Sequence, residues 1–162
     1  MSKSALDNYL PPKAEKPLNA SLLFPEIARE MAANPDLVGS LTGLFIVSVL
    51  KRGERRQEWF LLFQGRNSPP SISQTRPSLP KAVDDKPIPV VVIEIEDQDL
   101  YKFITGGLHG LKAISENRIK IAGDLVLAQQ LEEVFIKTGG VEKTKVFMAK
   151  AAAALRARKA KL

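Results

Sequence analysis

The sequence predicts an α+β fold, a five-stranded, mostly antiparallel sheet covered by helices. Three observations carry this. Apolar runs rich in β-branched or aromatic residues stand at 44–50, 59–63 and 90–95, with a short alternating run at 118–121. Segments with helical spacing occupy 22–33, 98–105, 125–136 and 141–160. Strands and helices do not alternate regularly, which argues against a parallel, doubly wound sheet. At 162 residues, 44% of them hydrophobic, the chain is sized for one core.

Taken in order, residues 1–19 are rich in Pro and Lys and read as a flexible N-terminal arm. Leu23, Ile27 and Met31 recur every four residues and mark the first helix, with Ser21 as its cap and Pro25 in its first turn. Asn34-Pro35-Asp36 stops it. The runs 44–50 and 59–63 form a hairpin across a charged loop longer than a tight turn. Both are apolar on each side, so the sheet is covered on part of both faces. Prolines crowd residues 64–89, where only a short strand near Ser71–Gln74 is expected. Val90–Ile95 is a strand, and Asp97 caps the helix after it. Gly106-Gly107 ends that helix, and a helical turn follows over 108–115. Arg118–Ile121 is a strand, and Asp124 caps a helix over 125–136 that Gly139-Gly140 closes. Leu127, Leu131, Val134 and Phe135 form its buried stripe.

Composition narrows the function. There is no cysteine and a single histidine, His109, so neither a Cys/His metal site nor thiolate chemistry is available, and no cofactor is implied. Glu94 and Glu96 alternate with isoleucines on a solvated strand face, and Asp97 is a cap, so this acidic run is not read as catalytic. Gly106–Gly110 lacks the Lys-Ser/Thr ending of a phosphate loop. Trp59 reads as core, and His109 as an exposed loop residue. No run nears the roughly 18 apolar residues of a membrane span, and the start MSKSALDNYLPPK has no apolar signal core. A soluble, non-secreted monomer is expected.

The net charge of +6 is uneven. Residues 141–162 hold seven Lys or Arg against Glu142 alone, leaving 17 basic and 17 acidic residues in 1–140. A neutral body argues against nucleic-acid binding. The basic segment suits transient contact with an anionic membrane, or packing over a ligand cavity.

The element order and particular residues resemble the sterol carrier protein 2 family over about residues 22–136. The first anchor is Leu23-Phe24-Pro25-Glu26-Ile27-Ala28, then Asn34-Pro35-Asp36-Leu37 and Gly43. The second runs from Glu94-Ile95 through Asp97-x-Asp99-Leu100, Thr105-Gly106 and Ala113-Ile114 to Ile119-Lys120-Ile121-x-Gly123-Asp124. It closes with Leu127-Ala128-x-x-Leu131. The resemblance implies an apolar tunnel between sheet and helices that holds a fatty acid, fatty acyl-CoA or sterol, without catalysis. It places Leu111, Ile114, Val126 and Gln129 along the tunnel. The chain departs from the family pattern at Gly110-Leu111, often Pro-Gln, at Ile114, often aromatic, and at Asn117, usually Gly. A wider or more purely aliphatic cavity is expected.

Ala160-Lys161-Leu162 fits the small–basic–leucine pattern of the peroxisomal C-terminal address. The domain reading is an arm over 1–19, a lipid-binding domain over 20–140, and a basic helical tail over 141–162 with this signal. The expected function is peroxisomal lipid binding and transfer, with a lipid or acyl-CoA ligand and a peroxisomal import receptor as partners. The rival reading is a non-carrying interaction or accessory domain on the same fold, presenting acyl-CoA to a peroxisomal enzyme.

Overall fold

A computed structural model describes residues 17–80 and 86–160. Helix α1 spans Asn19–Ala33, and a 3₁₀ turn follows at Pro35–Leu37. Strands β1 (Thr42–Lys51), β2 (Glu54–Gln64) and β3 (Ser71–Ser73) come next. After the proline-rich segment stand β4 (Val90–Glu96), α2 (Asp97–Thr105), α3 (Gly110–Ser115), β5 (Ile119–Ala122) and α4 (Leu125–Ala160). The five strands lie in the order β3-β2-β1-β4-β5. Only β1 and β4 pair in parallel, and the other pairings are antiparallel, as expected of a mostly antiparallel sheet.

Period-two alternation divides the sheet into two apolar faces. Phe45, Val47, Trp59, Leu61, Ile93 and Ile95 point inward, where α1, α2 and α4 cover them. Phe24 of α1 lies 4.9 Å from Trp59 and 6.4 Å from Phe135 of α4, and Phe135 meets Phe103 of α2 edge-on at 6.0 Å. These rings join three helices to the sheet. On the outer face Leu44, Ile46, Phe60 and Leu62 form a smaller cluster against which Ile88 packs. The Arg76 guanidinium stands 5.9 Å from the Phe60 ring. The proline-rich segment thus covers part of the second face, as two-sided apolar strands demand.

Four local expectations are corrected by tertiary structure. First, the β1–β2 connection is a tight turn. The strands run on through the charged residues, pairing Lys51 with Glu54, and Arg52 and Gly53 carry φ of +56° and +80°. Glu96 holds this turn, accepting the N–H groups of Arg52 at 3.1 Å and Gly53 at 2.7 Å. Second, α1 begins two residues before Ser21, so Pro25 lies in its second turn. The Ser21 hydroxyl instead accepts the Gln57 side-chain amide at 2.7 Å, and Gln57 in turn accepts the Trp59 indole N–H at 2.9 Å. Third, Asp97 is buried and caps α1, not the helix it opens. Its carboxylate accepts the N–H of Asn19 at 2.7 Å and of Ala20 at 3.0 Å. Two orphan amides of one helix are thereby satisfied from the start of another.

Fourth, Gly139-Gly140 does not end α4, which runs unbroken for 36 residues. Each glycine costs a helix interior about 1 kcal/mol relative to alanine. The buried stripe of Ala128, Leu131, Val134, Phe135 and Thr138 outweighs that cost up to the pair, and Met148 packs against the core beyond it. At a rise of about 1.5 Å per residue, Met148 lies about 28 Å from Gln129 along the axis. The basic segment therefore leads away from the start of α4 instead of folding back over it.

Of the arm expected over 1–19, residues 1–16 lie outside the described residues, Leu18 packs against the core, and Asn19 is helical. Lys161 and Leu162 also lie outside, and Ala160 is the last residue of α4. No helix among the described residues is long and apolar enough to cross a membrane.

Candidate ligand-binding site

The site lies where α3 and the first turns of α4 face β5 and the inner sheet. Asp124 starts α4 as its sequence position predicts, accepting the N–H of Val126 at 2.8 Å and of Leu127 at 3.4 Å. Gly123 sets the angle of entry. Its φ is +122°, and a Cβ there would stand 2.9 Å from the Val90 carbonyl oxygen, so only glycine lets β5 turn this close to β4.

Gly106 ends α2 in the left-handed conformation, and Gly107 and Leu108 donate back to the Lys102 carbonyl. The chain then enters α3, with exposed His109 just ahead of it. Three contacts hold α3 and its exit. Gly110 donates its N–H to Glu132 Oε1 of α4 at 3.0 Å. Arg118 donates to Asp99 of α2, with Nη2 2.6 Å from Oδ1, and stands 3.7 Å from Glu116. The Asp99 hydrogen bond chiefly holds the guanidinium above its ordinary pKa. Asn117 takes φ of +59°, the left-handed conformation its place in the turn requires.

Between these elements lies a free space of about 20 Å³, with Leu111, Ile114, Leu125, Gln129 and Glu132 at its rim. Its deeper wall is Phe103, Ile119, Ile121 and Ala128. The same four residues border a second space of about 20 Å³ that reaches Val47, Ile93, Ile95 and Phe135 under the sheet. The two share these four walls, and their linings together trace an apolar path from surface residues to the core. Leu111 and Leu125 at the rim are 50% and 46% exposed, a large hydrophobic display for a short segment. Each space has room for about one water, far below the roughly 300 Å³ at which ligand pockets begin. The deeper lining is apolar but not purely aliphatic, since Phe103 and Phe135 border it, and the path is closed and not widened. Entry of a chain molecule requires α3 and the start of α4 to move apart.

Leu111, Ile114 and Gln129 stand together at this rim, and Val126 does not line it, being 60% exposed beside it. Leu125 and Glu132 were missed by the sequence reading. A signal existed, because Leu125, Ala128, Gln129 and Glu132 follow the i, i+3, i+4, i+7 spacing of a helix face. The family resemblance points instead to Val126 and Gln129 on this helix.

A larger cleft of about 260 Å³ lies apart from this path, between Met31, Pro35 and Val38 and the loop of Arg66 and Pro69. It is open and partly polar, and none of its lining residues borders the apolar path. Among the described residues no group of carboxylates and histidine is placed to hold a metal ion.

Comparison with known proteins agrees with this architecture. The chain is 20% identical to the sterol carrier protein-2 like-3 crystal structure from Aedes aegypti, covering 75% of this chain and 99% of that one at a TM-score of 0.57. Sterol carrier protein 2 from Yarrowia lipolytica in its apo form gives 12% identity, 75% and 92% coverage, and a TM-score of 0.57. A sterol carrier protein-2 from Aedes aegypti in complex with C16 fatty acid (palmitate) gives 16%, 74%, 96% and 0.50. Peroxisomal multifunctional enzyme A of Dictyostelium discoideum is 29% identical over 118 residues, which are 70% of this chain and 23% of that protein. The chain thus spans about a quarter of that relative. The model of the SCP-2 sterol transfer family matches residues 24–136, and the chain belongs to that family.

Proposed function

We propose that this chain binds a lipid, a fatty acid, fatty acyl-CoA or sterol, in the path between α3, α4 and the sheet, and carries it within the cell. The observation that carries the proposal is the pair of apolar spaces with shared walls, whose lining runs from an exposed Leu111–Leu125 rim to Val47, Ile93 and Phe135. Burying the ligand's chain supplies the driving force, at roughly 0.8 kcal/mol per CH₂. That gain is set against opening the closed path. The moving part is α3, a six-residue helix fastened through Gly110–Glu132 and, at its exit, Arg118–Asp99. In this reading Leu111, Ile114 and Gln129 contact ligand, Val126 joins them once the path opens, and the chain catalyses nothing. The palmitate held by the Aedes aegypti relative supports a chain-like ligand.

The proposed location is the peroxisome. The name of the Dictyostelium discoideum relative supports it, and Ala160-Lys161-Leu162 is the address an import receptor would read, provided the Leu162 carboxylate is free. Exposed Lys150 and Arg156 on α4 suit brief contact with an anionic membrane during transfer. The same relative favours a second reading, an accessory domain that presents acyl-CoA to a peroxisomal enzyme.

Native mass spectrometry of the purified chain tests the proposal. The expected result is an added mass of lipid size that solvent extraction removes and lipid vesicles restore. A chain that carries no lipid and takes none from vesicles contradicts it.

A further inference from the structure

We infer that Glu132 makes the rim of the apolar path selective for lipids with an uncharged head, such as an alcohol, over lipids ending in a free carboxylate. The inference rests on the lipid-binding reading and concerns which lipid class that site accepts. Among the described residues, Glu132 is the only charged one bordering the path, and Gln129 the only other with a polar side chain. Among the described residues no lysine, arginine or histidine borders it. Lys112 projects from α3 but is exposed and outside the lining.

Two physical consequences follow. A carboxylate head cannot be drawn inside, because the deeper walls of Val47, Ile93, Ile95, Phe103 and Phe135 present no side-chain donor to replace its water. The head must then rest at the rim, where the one fixed charge has its own sign. A backbone donor that a carboxylate would use there, the Gly110 N–H, is already taken by Glu132 at 3.0 Å. A hydroxyl head meets the opposite situation. It can donate to the Glu132 carboxylate, a charge-assisted bond, and accept from the Gln129 amide.

Glu132 is held in this role by the absence of a side chain at residue 110. A Cβ on Gly110 would lie 2.6 Å from Glu132 Oε2, so any other residue there would push the carboxylate aside. Gly110 is thus a positioning residue for the rim charge.

The test equilibrates the full chain and its E132Q variant with phosphatidylcholine vesicles carrying radiolabelled hexadecanol or palmitate at pH 8, and measures protein-bound label. Glutamine keeps an oxygen to accept the Gly110 N–H and loses only the charge, so the fold is retained. The expected result is at least a tenfold preference of the native chain for hexadecanol, falling to threefold or less in E132Q. Equal uptake of both by the native chain, or a preference that E132Q leaves unchanged, overturns the inference and leaves lipid binding intact. Uptake of neither overturns the lipid-binding reading with it.

Discussion

Replacing Phe135 with alanine will lower the stability of the ligand-free fold by about 3–5 kcal/mol, measured by urea denaturation. Phe135 is 1% exposed, and its ring touches the ring systems of α1 and α2 at once, through Phe24 and Phe103. Its removal takes away the joint where α4 meets both helices. The vacated volume adjoins the space under Ile93 and Ile95, so the variant is also expected to admit apolar molecules without the opening that native protein requires. Added lipid should therefore restore a larger share of stability to Phe135→Ala than to the native chain. Leu111→Ala is the control. Half-exposed Leu111 contributes little to the ligand-free core, and its loss should change stability by about 0.5 kcal/mol or less.

Asp97→Ala should destabilise the protein by about 3 kcal/mol, because two helix-terminal amides lose a buried charged acceptor together. The Asp97 carboxylate accepts the N–H groups of Asn19 and Ala20, and the side chain is almost wholly withdrawn from solvent. Hydrogen exchange should locate the damage. The amides of the first turn of α1 should lose protection far more than those of α2, the helix Asp97 belongs to. Loss concentrated in α2 would mean that Asp97 caps its own helix, as its position in the sequence suggests. Asp97→Asn retains one acceptor and should fall between the native chain and the alanine variant.

These two residues mark what was and was not legible in the sequence. Phe135 belongs to a stripe with Leu131 and Val134 whose spacing is a local property, and the structure buries all three. The strands at 44–50, 59–63 and 90–95 were legible for the same reason, and so was the capping role of Asp124. Asp97 was read as a cap of the right kind on the wrong helix, since its partner lies 77 residues away in the chain. Gly139-Gly140 was read as a stop because glycine disfavours helices locally, whereas packing carries α4 through it. The tight β1–β2 turn was missed because its strands remain paired at Glu54, Arg55 and Gln57, with Arg56 bulged between the last two, where charge suggested a loop.

The candidate site was legible in part. Leu111, Ile114 and Gln129 meet at one rim, although they lie on two helices separated by a strand. Leu125 and Glu132 were missed because the family resemblance points to Val126 and Gln129 on that helix, and not to the face that Leu125, Gln129 and Glu132 share. The closure of the path was not legible at all. It depends on how α3 and α4 settle against β5, which no single segment encodes.

The central claim is that a lipid enters the closed path between α3, α4 and the sheet. A photoactivatable fatty alcohol with its diazirine at mid-chain tests this most directly, once bound to the chain, irradiated and mapped by peptide mass spectrometry. The predicted labels fall on Ile93 and Ile95 of β4, on Phe103, and on Ala128 and Phe135 of α4, the deep walls of the path. Labels confined to Met31, Pro35, Arg66 and Pro69, the lining of the larger open cleft, would contradict it.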